Sequence, residues 1–213
     1  IQITGDGKNT ETAPSSLSGE KINISPKVKI DKTVLQALRK ASSITGVELL
    51  FLLVVCEKES SFNPTAKAPT TGATGLFQFV PNTWAGEICK KYGSQYGFTN
   101  TYESKVDPDK GALAGALYLK SNKLYLEQRL NRSVSWTEVY LAHFLGGGGA
   151  VRFLKAMDTN ANAPVNTAVS SESYAANAPS FKKKDGTPKT VREVYDSLNN
   201  WINAKRSQYV SIN

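Results

Sequence analysis

The stretch "VELLFLLVVCEKESSFNP", Val47 to Pro64, decides the fold. Leu49 to Val55 is an unbroken apolar run, which leaves no polar face on a helix, and a helix that is apolar all round lies inside a core. Its last turn brings Glu57, Lys58 and Glu59 to the edge of that core. Desolvation there disfavours an ionised carboxylate and raises its pKa, which is the setting of a general acid. Periodicity does not choose between the two acids. Glu59 continues the row Leu52, Val55, and Glu57 continues the row Leu50, Leu53. A solvated glutamate at a helix end is the plain alternative for either one.

The segment after the helix narrows the reading. "FNPTAKAPTTGATG" carries two prolines and two glycines, so it is a loop. In "TGATGLFQF" the glycines allow backbone to approach a ligand closely, and Gln78 offers an amide that both donates and accepts. Phe77, Phe79 and Trp84 either face a sugar ring or belong to the core, and Phe79 reads as core.

The remaining chain is helical in pattern. "DKTVLQALRKASSITG" spaces Val34, Leu35 and Leu38 for a helix ending near Gly46, with the next helix over Val47 to Ser60. "VPNTWAGEICKKYG" reads as a short helix. "VDPDKGALAGALYLKSNKLYLEQRL" has Asp107 as N-cap and Pro108 at the first helical position. "SWTEVYLAHFLG" opens with a capping box, Ser135 to Glu138, and ends at a glycine, after which "AVRFLKAM" forms another short helix. A loop is expected from about Asp158 to Pro188, then a closing helix with the capping box Thr190 to Glu193. Strand signals are few, so the fold class is mainly α, with one core and long loops.

Residues 1–26 are rich in Gly, Ser, Thr, Asn and Pro and read as a linker or N-terminal arm, leaving 27–213 as the domain. The start at Ile1, without a secretory signal pattern, is expected to mark a piece of a longer or processed chain. The apolar run from Leu49 to Cys56 falls well short of the roughly 20 residues of a membrane span, so no stable membrane insertion is expected. Net charge is +8, which favours an anionic partner. The basic residues are scattered apart from "FKKKDG" and accompany no nucleic-acid-binding signature, so nucleic acid is not the expected partner. Two cysteines and the single His143 cannot build the usual zinc sites; no metal or cofactor is expected, and Cys56 reads as a buried free thiol. The run Gly146 to Gly149 follows a helix and precedes no Lys-Ser or Lys-Thr pair, which excludes a phosphate loop.

"ESSFNP" at Glu59 to Pro64 and "GATGLFQFVPNTW" at Gly72 to Trp84 resemble the two leading motifs of soluble lytic transglycosylases, in the goose-type-lysozyme-like branch of the lysozyme superfamily. "VDPDKGALAGALYLK" resembles the family's next helix. "YLAHFLGGGGAVRFL" and "FKKKDGTPKTVREVYDSL" are similar to catalytic domains of giant-bacteriophage endolysins and virion transglycosylases. The resemblance covers about Val28 to Ile202 and implies a lysozyme-like helical domain with long loops around a glycan cleft. It further implies cleavage of the bond between N-acetylmuramic acid and N-acetylglucosamine in peptidoglycan, with a 1,6-anhydro product and no cofactor. The family's catalytic glutamate falls on Glu59, its glutamine on Gln78, and the tyrosine of its "A-Y-N-x-G" motif on His143.

Several positions depart from the family pattern. Phe144 stands where asparagine is usual, and Ala68 where a small polar residue is expected, which passes that duty to Thr70 or Thr71. Lys189 replaces the glutamate of the family's late element, and Tyr195 is out of register. Tyr140, one turn before His143, is expected to line the cleft with it, although both also share a helical face with Trp136 and Val139 that reads as core. Tyr92 is the candidate for the family's tyrosine beside the scissile sugar. Two other functions stay open: a muramidase that cleaves the same bond with water, and a non-catalytic wall-binding virion module. The resemblance also implies a phage-encoded chain with further domains, acting on the bacterial wall from the periplasm or during entry.

Overall fold

The structure is a computed structural model that describes residue 17 and residues 19–209. A two-stranded antiparallel hairpin, β1 Lys21–Ser25 and β2 Val28–Asp31, leads directly into α1 Lys32–Thr45. Asp31 caps that helix by accepting from the Thr33 backbone N–H at 2.8 Å, and Gly46 ends it in the left-handed conformation. The hairpin revises the expected arm over 1–26. Ile24 and Ile30 are buried, so the apolar positions of "KINIS" anchor part of that segment to the core. Residues 1–16 and 18 lie outside the described residues.

Helix α2, Leu49–Ser60, is the buried axis of the molecule. Phe51 to Cys56 are each no more than 1% exposed, as an all-round apolar helix requires. Each such side chain contributes about 1.5–3 kcal/mol by leaving water. α2 packs against α1 on one side and against the C-terminal helix α10, Val191–Gln208, on another. Arg206 pairs with Glu48 at one end of α2, and Lys205 pairs with Glu57 at the other.

After a loop come α3 Pro81–Thr83, a π-helical turn Trp84–Cys89, α4 Lys90–Tyr96 and α5 Tyr102–Val106. α6, Pro108–Leu130, starts as expected, with the Lys110 N–H on Asp107 Oδ1 at 2.9 Å. α7, Trp136–Asn160, carries the expected capping box and runs through the glycine stretch with a kink at Gly146, whose φ of 71° breaks the helical path. The expected end at a glycine and the following helix "AVRFLKAM" are thus present as the two limbs of α7 on either side of Gly146. The loop expected over 158–188 is corrected. It holds a 3-10 turn Val165–Thr167 and two short helices, α8 Ser171–Ala176 and α9 Ala178–Phe181, because Val165, Ala168 and Phe181 are buried and pull the chain onto the core. Among the described residues, no helix is long and apolar enough to cross a membrane.

Candidate active site

The last turn of α2 sorts its two acids. Residues two apart on a helix point about 200° away from each other. Glu57 faces α10, where Lys205 Nζ meets its carboxylate at 3.0 and 3.1 Å and the Tyr209 hydroxyl donates to Oε2. Glu59 faces α7, where His143 Nε2 lies 3.1 Å from Oε1. The Glu59 side chain is 23% exposed and that of His143 19%, so the pair is half-buried yet reachable from solvent. The imidazole accepts when Glu59 carries its proton and donates when Glu59 is ionised, which lets one contact serve both protonation states.

The loop after α2 is held rigidly beside this pair. Ser60 Oγ donates to the Leu76 carbonyl at 2.9 Å and so ties the helix end to "GLFQF". Ser61 and Phe62 turn the chain with φ of 51° and 65°, and Gln78 has φ of 50°. Side chains other than glycine adopt that region only when their surroundings over-determine it, at about 1–3 kcal/mol each. Gly75, with φ of 87°, sits where a Cβ would lie 2.4 Å from the Lys105 carbonyl oxygen, so no other residue fits. Gln78 Nε2 donates to the Ala66 and Gly75 carbonyls at 3.0 and 2.9 Å. Its amide N–H groups therefore brace the loop.

An aromatic wall surrounds the pair. The Tyr140 ring lies 5.8 Å from His143 and 5.4 Å from Trp201, and the Tyr118 ring meets His143 edge-on at 6.3 Å. Burial pushes the Tyr140 phenol up strongly and the Glu59 charge adds to it, so it stays a neutral hydroxyl. Burial also raises Tyr118.

The structure thus gathers Glu59, His143 and Tyr140 and sets Gln78 on the adjoining loop. The other expected residues make no hydrogen bond or ring contact with this group among the described residues. Phe77 is 3% exposed and lies over Gly115, which corrects its reading as a sugar-stacking face: the small residues of α6 let the ring sink into the core. Phe79 and Trp84 are also buried, in contact with each other. Thr70 and Thr71 stand exposed on the loop, Thr71 Oγ1 accepting from the Ala73 N–H, and Tyr92 is half-buried on α4. None of these three makes a hydrogen bond with Glu59, whose polar partner among the described residues is His143. Tyr118 and Trp201 were missed by sequence reasoning, since each reads there as one more apolar position on a helix. Both cysteines are free, with Cys56 buried, and no group of three or more His, Cys, Asp or Glu side chains among the described residues is placed to hold a metal.

Residues 36–164 match the Transglycosylase SLT domain family, a stretch that begins in α1 and runs past α7. The chain belongs to this family. The chain is 30% identical over 117 residues to the membrane-bound lytic murein transglycosylase C of Pectobacterium atrosepticum, covering 55% of this chain and 32% of that protein. It is 29% identical, over equal shares, to the enzyme of the same name from Yersinia pestis. The matched part of the chain therefore spans about a third of the curated relatives' length. Among solved structures, an inactive mutant of lytic transglycosylase Slt from Pseudomonas aeruginosa aligns with a TM-score of 0.46 and 19% identity, over 79% of this chain and 24% of that one. The 70 kDa soluble lytic transglycosylase of Escherichia coli aligns with the same score and identity, over 83% of this chain and 25% of that one.

Proposed function

We propose that this chain is a peptidoglycan lytic transglycosylase with Glu59 as its single acid and base. The observation that carries the reading is the division of labour at the end of α2. Glu59, at the family's motif position, is half-buried against His143, while Glu57 is tied off by Lys205 and Tyr209. Most glycosidases need two carboxyl groups, one as acid and one as nucleophile or water-activating base. Here a second one is dispensable. Protonated Glu59 gives its proton to the glycosidic oxygen, and the bond to the muramic acid C1 breaks as N-acetylglucosamine leaves. The substrate's acetamido group stabilises the cation at C1. Ionised Glu59 then takes the proton of the muramic acid 6-hydroxyl, whose oxygen bonds to C1. The proton is back on Glu59, no water is consumed, and the product carries a 1,6-anhydro ring. His143 steadies the carboxyl in both states, since its Nε2 can accept or donate at 3.1 Å.

His143 also supports a second reading, a muramidase. An imidazole beside the acid can hold a water for attack on C1. Mass spectrometry of muropeptides released from purified sacculi separates the two. Anhydro ends, lighter by one water than reducing ends, establish the transglycosylase, and reducing ends establish the hydrolase. Binding to sacculi without release of soluble fragments would leave the wall-binding module. The similarity of Tyr140 to Leu154 and Phe181 to Leu198 to giant-phage enzymes favours a phage-encoded domain joined to others and working on the host wall.

A further inference from the structure

His143 is the chain's single histidine, and what it does for Glu59 depends on which way its ring is turned. Half a turn about the Cβ–Cγ bond replaces Nε2 by Cε1, and the side chain's last torsion is broad enough to allow both settings. The usual device that fixes ring and tautomer is a hydrogen bond at the other nitrogen. Among the described residues, however, Glu59 is the one polar partner of His143. The rings packed against the imidazole therefore have to set its orientation.

Two tyrosines reach it, and they do so differently. Tyr140 sits one turn earlier on α7, with its ring 5.8 Å from the imidazole at 49°, and rides on the same limb of the helix. Burial and then the Glu59 charge raise its phenol, so its hydroxyl lies in the field of the acid itself. Tyr118 comes from α6 and meets the imidazole at 6.3 Å with the planes 78° apart. Burial and then the Glu87 carboxylate raise its phenol, while Asn122 and Lys91 lower it. Its hydroxyl is thus engaged with the π-helical turn, α4 and α6, and what it offers His143 is the ring. That ring is itself held. Phe79, which is buried and directly follows Gln78, stands against it at 5.5 Å and 87°. Tyr118 so joins the loop after α2 to the limb of α7 that carries the imidazole. We propose that Tyr118 is a positioning residue, whose ring keeps His143 turned with Nε2 toward Glu59. Its effect on rate rests on the glycan-cleaving reading, because a held imidazole speeds the reaction only where Glu59 is the acid.

A lone histidine makes the test direct, since long-range proton–nitrogen NMR of the nitrogen-labelled chain shows one imidazole. The parent should show a single tautomer, and Tyr118→Leu should show nitrogens averaged between the two. Tyr118→Phe, which keeps the ring and drops the hydroxyl, should recover the parent's pattern. On soluble, uncross-linked peptidoglycan strands, Tyr118→Leu should lower kcat about threefold to tenfold, the reach of one aromatic pair, with KM unchanged. Tyr118→Phe should recover most of that rate, and in a His143→Ala background Tyr118→Leu should cost no more than about twofold further. Circular dichroism at the assay temperature checks the fold, and Tyr118→Met repeats the measurement should the leucine variant not fold. Unchanged nitrogens in Tyr118→Leu overturn the assignment. So does a full loss in Tyr118→Phe, which would give the role to the hydroxyl, or a loss undiminished without His143, which would make Tyr118 plain packing. Lysis surviving in Glu59→Gln with the expected nitrogen pattern sinks the single-acid reading and keeps Tyr118 as the residue that holds the imidazole.

Discussion

Glu57 and Glu59 stand two residues apart on one helix and should fail in opposite ways. Glu59→Gln keeps size, shape and a polar contact to His143 but removes the transferable proton. General acid–base catalysis is worth about 10²–10⁴, and one carboxyl serves both steps here, so wall-lytic activity should fall about a thousandfold or more. The melting temperature should hardly move, because a 23% exposed side chain has been replaced by its isostere. Glu57→Ala strips two contacts of 3.0 and 3.1 Å from Lys205 and leaves the buried Tyr209 hydroxyl without its acceptor. Side-chain exposures of 29% and 19% place that pair short of full burial, so the loss is about 1–3 kcal/mol. For a domain of this size that is a drop of about 2–12 °C in Tm. A domain holds about 5–15 kcal/mol, so the variant stays folded below its melting point and should cleave at close to the unmodified rate. Turbidity loss of purified sacculi and a thermal melt, run on both variants, read out the pair. Lysis surviving in Glu59→Gln, or lost in a Glu57→Ala chain that melts normally, would refute the division of labour.

Removing the 3.1 Å partner of Glu59 with His143→Ala should lower kcat/KM about tenfold to a hundredfold, the kinetic equivalent of about 1.5–3 kcal/mol for a hydrogen bond to a charged group. His143→Gln, which keeps a donor and an acceptor, should restore most of it, and an alanine variant within a factor of three of the parent would show that the contact is idle. Gly115→Ala would drive a methyl to 2.3 Å from the Phe77 ring, so a loss of about 1–3 kcal/mol and a lower Tm are expected; an unchanged melt would mean that the loop does not rest on α6. Burial, the largest cause in each case, pushes up Cys56, Tyr140 and Tyr209, so the folded chain keeps protons that the unfolded chain releases. Their contribution is complete below the unfolded values, near 8.5 for a thiol and 10 for a phenol, and drains as pH climbs toward the folded ones. Urea titrations should therefore show stability falling above about pH 9, by up to about 1.4 kcal/mol per pH unit per group, and a flat profile to pH 11 would contradict it.

What sequence could show here follows from how local each signal is. The capping boxes at Ser135 and Thr190, the N-cap Asp107 and the stop at Gly46 depend on residues within one turn, and all are present. The hairpin escaped because Ile24 lies in the stretch that reads as linker while its inward-facing counterpart Ile30 lies past it; only pairing across the turn reveals that both bury. The helices α8 and α9 escaped likewise, since Phe181, stacked on the nearby Tyr174, is anchored by Phe144 of α7, a contact with a distant segment.

At the site the same distinction decides which residues were legible. Glu59 was within reach: the buried helix before it is a local fact that offers two acids, and the motif resemblance falls on Glu59. The physical difference between Glu57 and Glu59 is not local at all. It is made by Lys205 and Tyr209, some 150 positions away, which claim one acid and leave the other for His143. The aromatic residues show the reverse error: Phe77 looks like a ligand platform in a glycine-rich loop, but Gly115 on α6 provides the hole that swallows it. In the proposed mechanism the packing on the two faces of α2's last turn therefore sets the roles: Lys205 and Tyr209 hold Glu57, and Glu59 is left to His143 and the substrate.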